Sequence, residues 1–302
     1  MPNDNRRRPG PRLTRRGFVS RAGLGALATL ATPALRPAAA AVDGSGSASP
    51  VIAFNTANLV ARVSGYRYKL GSWMDQHRKT IAATDEAAWR GICSDIAAAG
   101  FAAVEVWEAH AAPESLDEPK ARLWRRILDE ARLRPVAYAG GLRRETLQVC
   151  RWLGIPHLDG GLRDLAPGPA TALCREFGIR FNIENHPEKT AAELLAKIGG
   201  GDEWLGVCID TGWLGTQGAS APDVIRACGS LVRHTHVKDV EAAGAHDTCA
   251  LGEGVVNVAA CLKALRELHY AGCYSWEDEP EDRNPLDSAV RNRKWIERQL
   301  AA

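Results

Sequence analysis

Four short apolar runs in the second half of the chain each end on a polar side chain: Ile179 to Glu184, Leu205 to Asp210, Leu231 to His236 and Cys273 to Glu277. The closing residues lie 26, 26 and 41 positions apart. One strand, one helix and two loops take roughly 30 residues. Each step is therefore about one βα unit, and each polar group ends its own strand. Glu, Asp, His and Glu converging at strand ends make a ligand set for a hard-to-borderline divalent metal.

The same alternation runs through the rest of the chain. Strands are predicted near 51–56, 101–107, 135–139, 155–159, 179–184, 205–210, 231–237 and 273–277, with helices near 85–99, 118–133, 143–153, 168–178, 190–199, 221–228, 257–269 and 286–300. Gly100, Gly154, Gly178 and Gly272 precede strands, where helix C-caps belong. Eight such units predict a parallel sheet closed into a single-domain α/β (β/α)8 TIM barrel over residues 51–302. The competing fold is a doubly wound open sheet, whose Gly-rich turn after strand one is missing here. The connection 58–84, with Tyr66, Tyr68, Trp73 and His77, is long enough to cover a site at the carboxyl ends.

Residues 1–41 are expected to lie outside the barrel. Arg15–Arg16–Gly17–Phe18–Val19 resembles a twin-arginine export motif, Ala22 to Leu35 is an apolar run too short to span a bilayer, and Ala38 to Ala41 offer small-residue cleavage sites. Residues 42–50 read as a flexible linker. Export by this route predicts a periplasmic or extracellular location without a lasting membrane anchor. The segment removed holds eight Arg and one Asp, so 38 − 8 = 30 basic and 36 − 1 = 35 acidic residues remain. A net +2 becomes −5, which disfavours nucleic acid as a partner. Seven of the eight Cys fall in or beside predicted elements and no CxxC pair occurs. They read as small buried hydrophobes rather than disulfides.

Ile183–Glu184–Asn185–His186, Ile209–Asp210–Thr211–Gly212–Trp213, His234–Thr235–His236–Val237–Lys238–Asp239, Leu251–Gly252–Glu253–Gly254 and Trp276–Glu277 together resemble the sugar phosphate isomerase/epimerase family of xylose-isomerase-like barrels. The resemblance implies one divalent ion (manganese, magnesium, cobalt or zinc) held by Glu184, Asp210, His236 and Glu277. It also implies a small carbohydrate substrate, which an exported enzyme would meet unphosphorylated. Glu184 and Glu277 are the expected catalytic pair: one takes the proton beside a carbonyl and the other returns it, through an enediolate, giving isomerisation or epimerisation. A lyase or dehydratase acting on a keto-sugar, keto-inositol or glycoside is the alternative. A non-catalytic metal-containing carbohydrate-binding protein is the third reading, and a homo-oligomer is left open.

Five further residues are candidates for substrate contact. Glu105 and His110, at and after the end of strand two, either face the site or form rim contacts, and Glu105 also has the option of supporting the metal ligands. His186 is set to bind a sugar hydroxyl or cap its loop. Trp213 occupies a position where many sugar epimerases of the family carry His, and offers a flat apolar face to a sugar ring or to the core. Lys238 is placed for a substrate oxygen or for solvent. His234 is expected in an inner layer behind His236. Glu253 reads as loop-forming or functional. Glu279, Glu281 and Asp282 read as a solvated run beyond the site.

Overall fold

A computed structural model describes residues 50–302. The twin-arginine-like segment and all but the last residue of the linker lie outside the described residues. Eight strands close into a barrel in chain order, every neighbouring pair parallel. They are β1 Val51–Asn55, β2 Ala103–Trp107, β3 Arg134–Ala139, β4 His157–Gly160, β5 Arg180–Glu184, β6 Leu205–Asp210, β7 Val232–Val237 and β8 Cys273–Trp276. Each observed strand begins and ends within two residues of its predicted span.

The helices are α1 Trp73–Ala83, α2 Glu86–Ala98, α3 Glu118–Glu130, α4 Arg144–Leu153, α5 Pro167–Phe177, α6 Ala191–Lys197, α7 Thr211–Thr216, α8 Ala221–Cys228, α9 Val258–Glu267 and α10 Leu286–Ala301. Gly154 and Gly178 end α4 and α5 in the left-handed region, each at φ 68°. A residue without Cβ takes that conformation at no steric cost. Two helices were not expected from the sequence. α1 lies in the long connection 58–84, and α7 follows β6 because the Asp210 side chain accepts the Trp213 N–H at 2.9 Å and caps it.

Strand residues point alternately to opposite faces. The outward set, including Phe54, Val104, Val106, Leu158, Phe181, Ile183, Val207 and Ile209, joins helix residues such as Trp89, Ile96, Trp124 and Leu147 in one large apolar core. Trp89 and Trp124 stack at 7° there, and Trp124 Nε1 donates to the His110 carbonyl at 2.9 Å. The inward set is small or polar. Ala53, Ala103, Ala137 and Cys273 cluster together, while Glu105, Asp159, Asn182, His234 and Ser275 are buried polar groups. The sheet's driving force therefore lies outside the barrel, between strands and helices, leaving the lumen free for polar chemistry.

All eight cysteines are free and seven are buried, as expected. Among the described residues no helix is long and apolar enough to cross a membrane.

The long connection after β7 is tied by one carboxylate. Asp239, 1% exposed, accepts the N–H groups of Val240 and Val256 on Oδ1 and those of Gly252 and Gly254 on Oδ2, at 2.9–3.1 Å. A Cβ at Gly254 would fall 2.2 Å from the Val240 carbonyl oxygen, so only glycine fits that turn. Glu253 points away, to Arg291 at 3.3 Å on the surface, and so belongs to the loop. Asp239→Ala would leave four N–H groups without their acceptor. It is predicted to lower stability by about 3 kcal/mol or more in denaturant unfolding, and a loss below about 1 kcal/mol would contradict that account.

Candidate active site

The strand-end logic holds in three dimensions. Glu184 ends β5, Asp210 ends β6, His236 lies one residue before the end of β7, and Glu277 follows β8. Asp210 and His236 are register partners across β6 and β7. These four residues each offer a ligand atom within 4.8 Å of the others. His236 Nδ1 is 2.8 Å from Glu184 Oε1 and 3.4 Å from Glu277 Oε2.

They form the floor of a cavity of about 360 Å³ at the carboxyl ends of the strands, the size of a small-ligand site. Trp213 and His246, with rings 5.5 Å apart, line one side; Trp73 and Trp107, 5.3 Å apart, line another. Gly140, Gly160 and Gly161 leave a flank without side chains. Gly160 sits at φ 146°, where a Cβ would fall 2.2 Å from the Gly140 carbonyl oxygen.

Charge at the floor is unevenly balanced. Burial foremost, then the charges of Glu279 and Asp210, push Glu277 up to about 8 despite relief from His236 and Lys238. Asn55 Nδ2 donates to Glu277 Oε1 at 2.9 Å. Burial likewise opposes ionisation of Asp210, but Lys238, His186 and His236 outweigh it and lower its pKa. His186, beside Asp210 Oδ2 at 3.2 Å and Glu184 Oε2 at 3.6 Å, is raised to about 9: burial works against its charge and the two carboxylates prevail. Its ring meets Trp213 edge-on at 4.6 Å. Three carboxylates and an imidazole are hard and borderline donors, and Glu277 in particular lacks a full counter-charge. The residues present therefore fit a divalent cation.

The structure decides among the alternatives open for several candidates, and for Glu105 it is the supporting place and not substrate contact. Glu105 does not reach the cavity. It is fully buried behind His236, with Oε1 3.0 Å from His236 Nε2 and Oε2 2.9 Å from His234 Nε2. β2 and β7 are not neighbours in the sheet, so this contact crosses the lumen. Burial opposes its ionisation, yet His236 and His234 hold its carboxyl well below the usual range. A carboxylate on the far nitrogen fixes the imidazole's orientation and tautomer. His234 occupies the expected inner layer, with Asp159 Oδ2 3.9 Å away.

His110 is also off the site. It is 3% exposed, packs against Trp107 and Trp89, and its Nδ1 lies 3.0 Å from Thr56 Oγ1. Lys238 lines the cavity, but its ammonium is buried among carboxylates rather than free: Glu279 at 2.6 Å, Glu277 at 3.4 Å and Asp210 at 3.6 Å. Glu279 is thus part of the site wall and not solvated. Glu281 binds Lys69 at 2.6 Å.

Sequence reasoning missed Asn55, Trp107, His246 and Glu279 as neighbours of this site. Asn55 ends β1, so extending the strand-end rule to the first strand would have found it.

Residues 93–299 match the xylose isomerase-like TIM barrel family, and the chain belongs to that family. No curated protein matches it in sequence. Among solved structures it is similar to an L-ribulose 3-epimerase, at 18% identity and TM-score 0.62 over 83% of this chain and 95% of that one. It is also similar to a probable 3-DHS dehydratase, AsbF from Bacillus anthracis, at 15% identity and TM-score 0.58 over 82% and 98%. A third is IolI protein with a bound zinc atom, at 14% identity and TM-score 0.58 over 83% and 98%. At these identities the likeness is one of fold.

His110 yields a pH prediction. Burial first, then the charges of Arg62 and His77, lower its pKa to about 3. The unfolded chain binds a proton near pH 6.5 that the folded imidazole refuses. Stability from this group is complete above about pH 6.5 and is lost as pH falls toward 3, by roughly 4–5 kcal/mol at most. His110→Gln is expected to flatten that acid limb in denaturant titrations, and an unaltered limb would refute the assignment.

Proposed function

We propose that the protein is a divalent-metal-dependent isomerase or epimerase that moves a proton beside the carbonyl of a sugar or keto-sugar. The convergence of Glu184, Asp210, His236 and Glu277 on the floor of one cavity carries this reading. These four residues would hold the ion. When bound, it draws electrons from the carbonyl oxygen and makes the neighbouring C–H more acidic.

The proton handling falls to Glu184 and Glu277. They stand at the ends of β5 and β8, on different sides of the mouth. One takes the proton and the other returns it, so the face of return decides the stereochemistry. Asn55 steadies Glu277 through Oε1, leaving Oε2 to face His236 and Lys238. Lys238 tempers the negative charge around Glu277. Trp213 offers a face to the sugar ring and His186 a donor to a hydroxyl. The likeness to an L-ribulose 3-epimerase supports a carbohydrate substrate.

One observation favours a lyase as the second reading. His186 lines the cavity 3.2 Å from Asp210 Oδ2, where its ring is placed to give a proton to a departing hydroxyl. From the sequence alone, we also propose twin-arginine export, so that the substrate would be an extracytoplasmic, unphosphorylated sugar.

Incubation with keto-sugars in deuterated water should exchange one carbon-bound hydrogen. Exchange without loss of a group marks an isomerase or epimerase, and loss of water or an aglycone marks the lyase. Glu277→Gln should slow exchange about 10²–10⁴-fold while sugar binding persists; near-normal turnover would remove its role. Dialysis against a chelator should abolish exchange, with manganese, magnesium, cobalt or zinc restoring it. Full activity in metal-free protein would overturn the reading.

A further inference from the structure

The barrel has a second concavity at its opposite end. A cavity of about 410 Å³ opens at the amino-terminal ends of the later strands, lined among others by His157, Arg180, Glu203, Arg233 and Tyr270. His157 and Arg180 open β4 and β5 and are register partners. Arg233 is the second residue of β7. Glu184, at the other end of β5, belongs to the opposite mouth.

The two guanidiniums there are poorly compensated. Arg233 donates to the backbone carbonyls of Glu203, at 3.0 Å, and Asp202. Those acceptors are neutral. Among the described residues neither Arg180 nor Arg233 has a carboxylate within ion-pair distance; the acidic charges of Asp202 and Glu203 act on Arg233 only from further away. Asp202 is turned elsewhere, accepting from the Thr171 hydroxyl at 2.6 Å and from the N–H groups of Trp204 and Leu205. Glu203 is exposed.

Burial, then the charge of Arg180, lowers the Arg233 pKa. Burial, then the charges of His234, Arg180 and Arg233, holds His157 at about 3, so its ring is neutral and able to hydrogen-bond. Like charges gathered in a concave, partly desolvated site favour an anion between them.

We propose that this cavity binds a small dianionic oxyanion, the phosphate of an ester or a dicarboxylate, gripped by Arg180 and Arg233. Guanidinium forks match both groups in a two-point fashion that ammonium groups do not. Its volume falls in the range of small-ligand pockets. The ligand would occupy a site separate from the sugar chemistry at the other mouth.

The test is calorimetric titration of the full chain, as purified, with inorganic phosphate and separately with succinate, against chloride of equal ionic strength. Saturable binding of one equivalent of either anion is expected. Phosphate alone would identify the phosphate source, and succinate alone the dicarboxylate. Arg180→Gln and Arg233→Gln should each weaken binding about tenfold or more. Arg180 is exposed, so its variant keeps the test valid if Arg233→Gln fails to fold. The proposal is overturned if neither anion binds at millimolar concentration. It is equally overturned if binding survives Arg180→Gln but responds to Glu184→Gln, which would put the anion at the other mouth.

Discussion

Three carboxylates packed around one imidazole are the arrangement to which the rest of this barrel is fitted. Glu277 and Asp210 are 5% and 0% exposed, and burying such charges costs several kcal/mol each unless partners share them. Positive and donating groups beside them are accordingly enlisted. Lys238 gives up solvent to sit among Asp210, Glu277 and Glu279; His186 spans Asp210 and Glu184; Asn55 reaches Glu277 from the far side of the chain. These contacts hold the acids in place while leaving Glu277 short of a full counter-charge. A divalent cation, held as proposed, would complete what the side chains leave undone.

That demand propagates inward. As a proposed ligand, His236 would need one nitrogen directed at the carboxylates, and Glu105 on the other nitrogen holds the ring that way. Glu105 in turn needs His234, and His234 has Asp159 within 3.9 Å, whose other oxygen accepts from Asn182 at 2.6 Å. A column of polar groups thus fills the lumen where branched apolar side chains usually pack. The register irregularities fall beside it, between Val104 and Glu105 on β2 and between Val207 and Cys208 on β6. Such bulges re-aim side chains near functional sites.

Short apolar runs closed by a polar residue, about one βα unit apart, made the strands and their closing residues legible, because strands buried against helices are a strong and regular signal. Glu184, Asp210, His236 and Glu277 were readable for that reason. α1 was not, since its buried residues are Gln76 and Thr80 and no apolar stripe marks it. Glu279 was misread because Glu277 to Asp282 looks like a solvated acidic run. Only the fold brings Lys238, 41 positions earlier, against it. The substrate-contact option for Glu105 and His110 failed for a related reason, while the supporting option left open for Glu105 held. Strand-end position says which mouth a residue approaches, not whether a neighbour such as His236 or Trp107 stands in front of it.

The polar column also explains why the two mouths differ in character. At the carboxyl ends the acids are concentrated, and at the amino ends Arg180 and Arg233 stand beside His157. Asn182 links the lower groups to the upper, lying 3.3 Å from His157 and 2.6 Å from Asp159. An apolar lumen would insulate the two ends from each other. Here successive side chains of β4, β5, β7 and β2 pass from the basic end to the acidic one. Burial foremost keeps His157 neutral at the lower mouth, and the charge of His234 is accordingly felt there beside those of the two arginines.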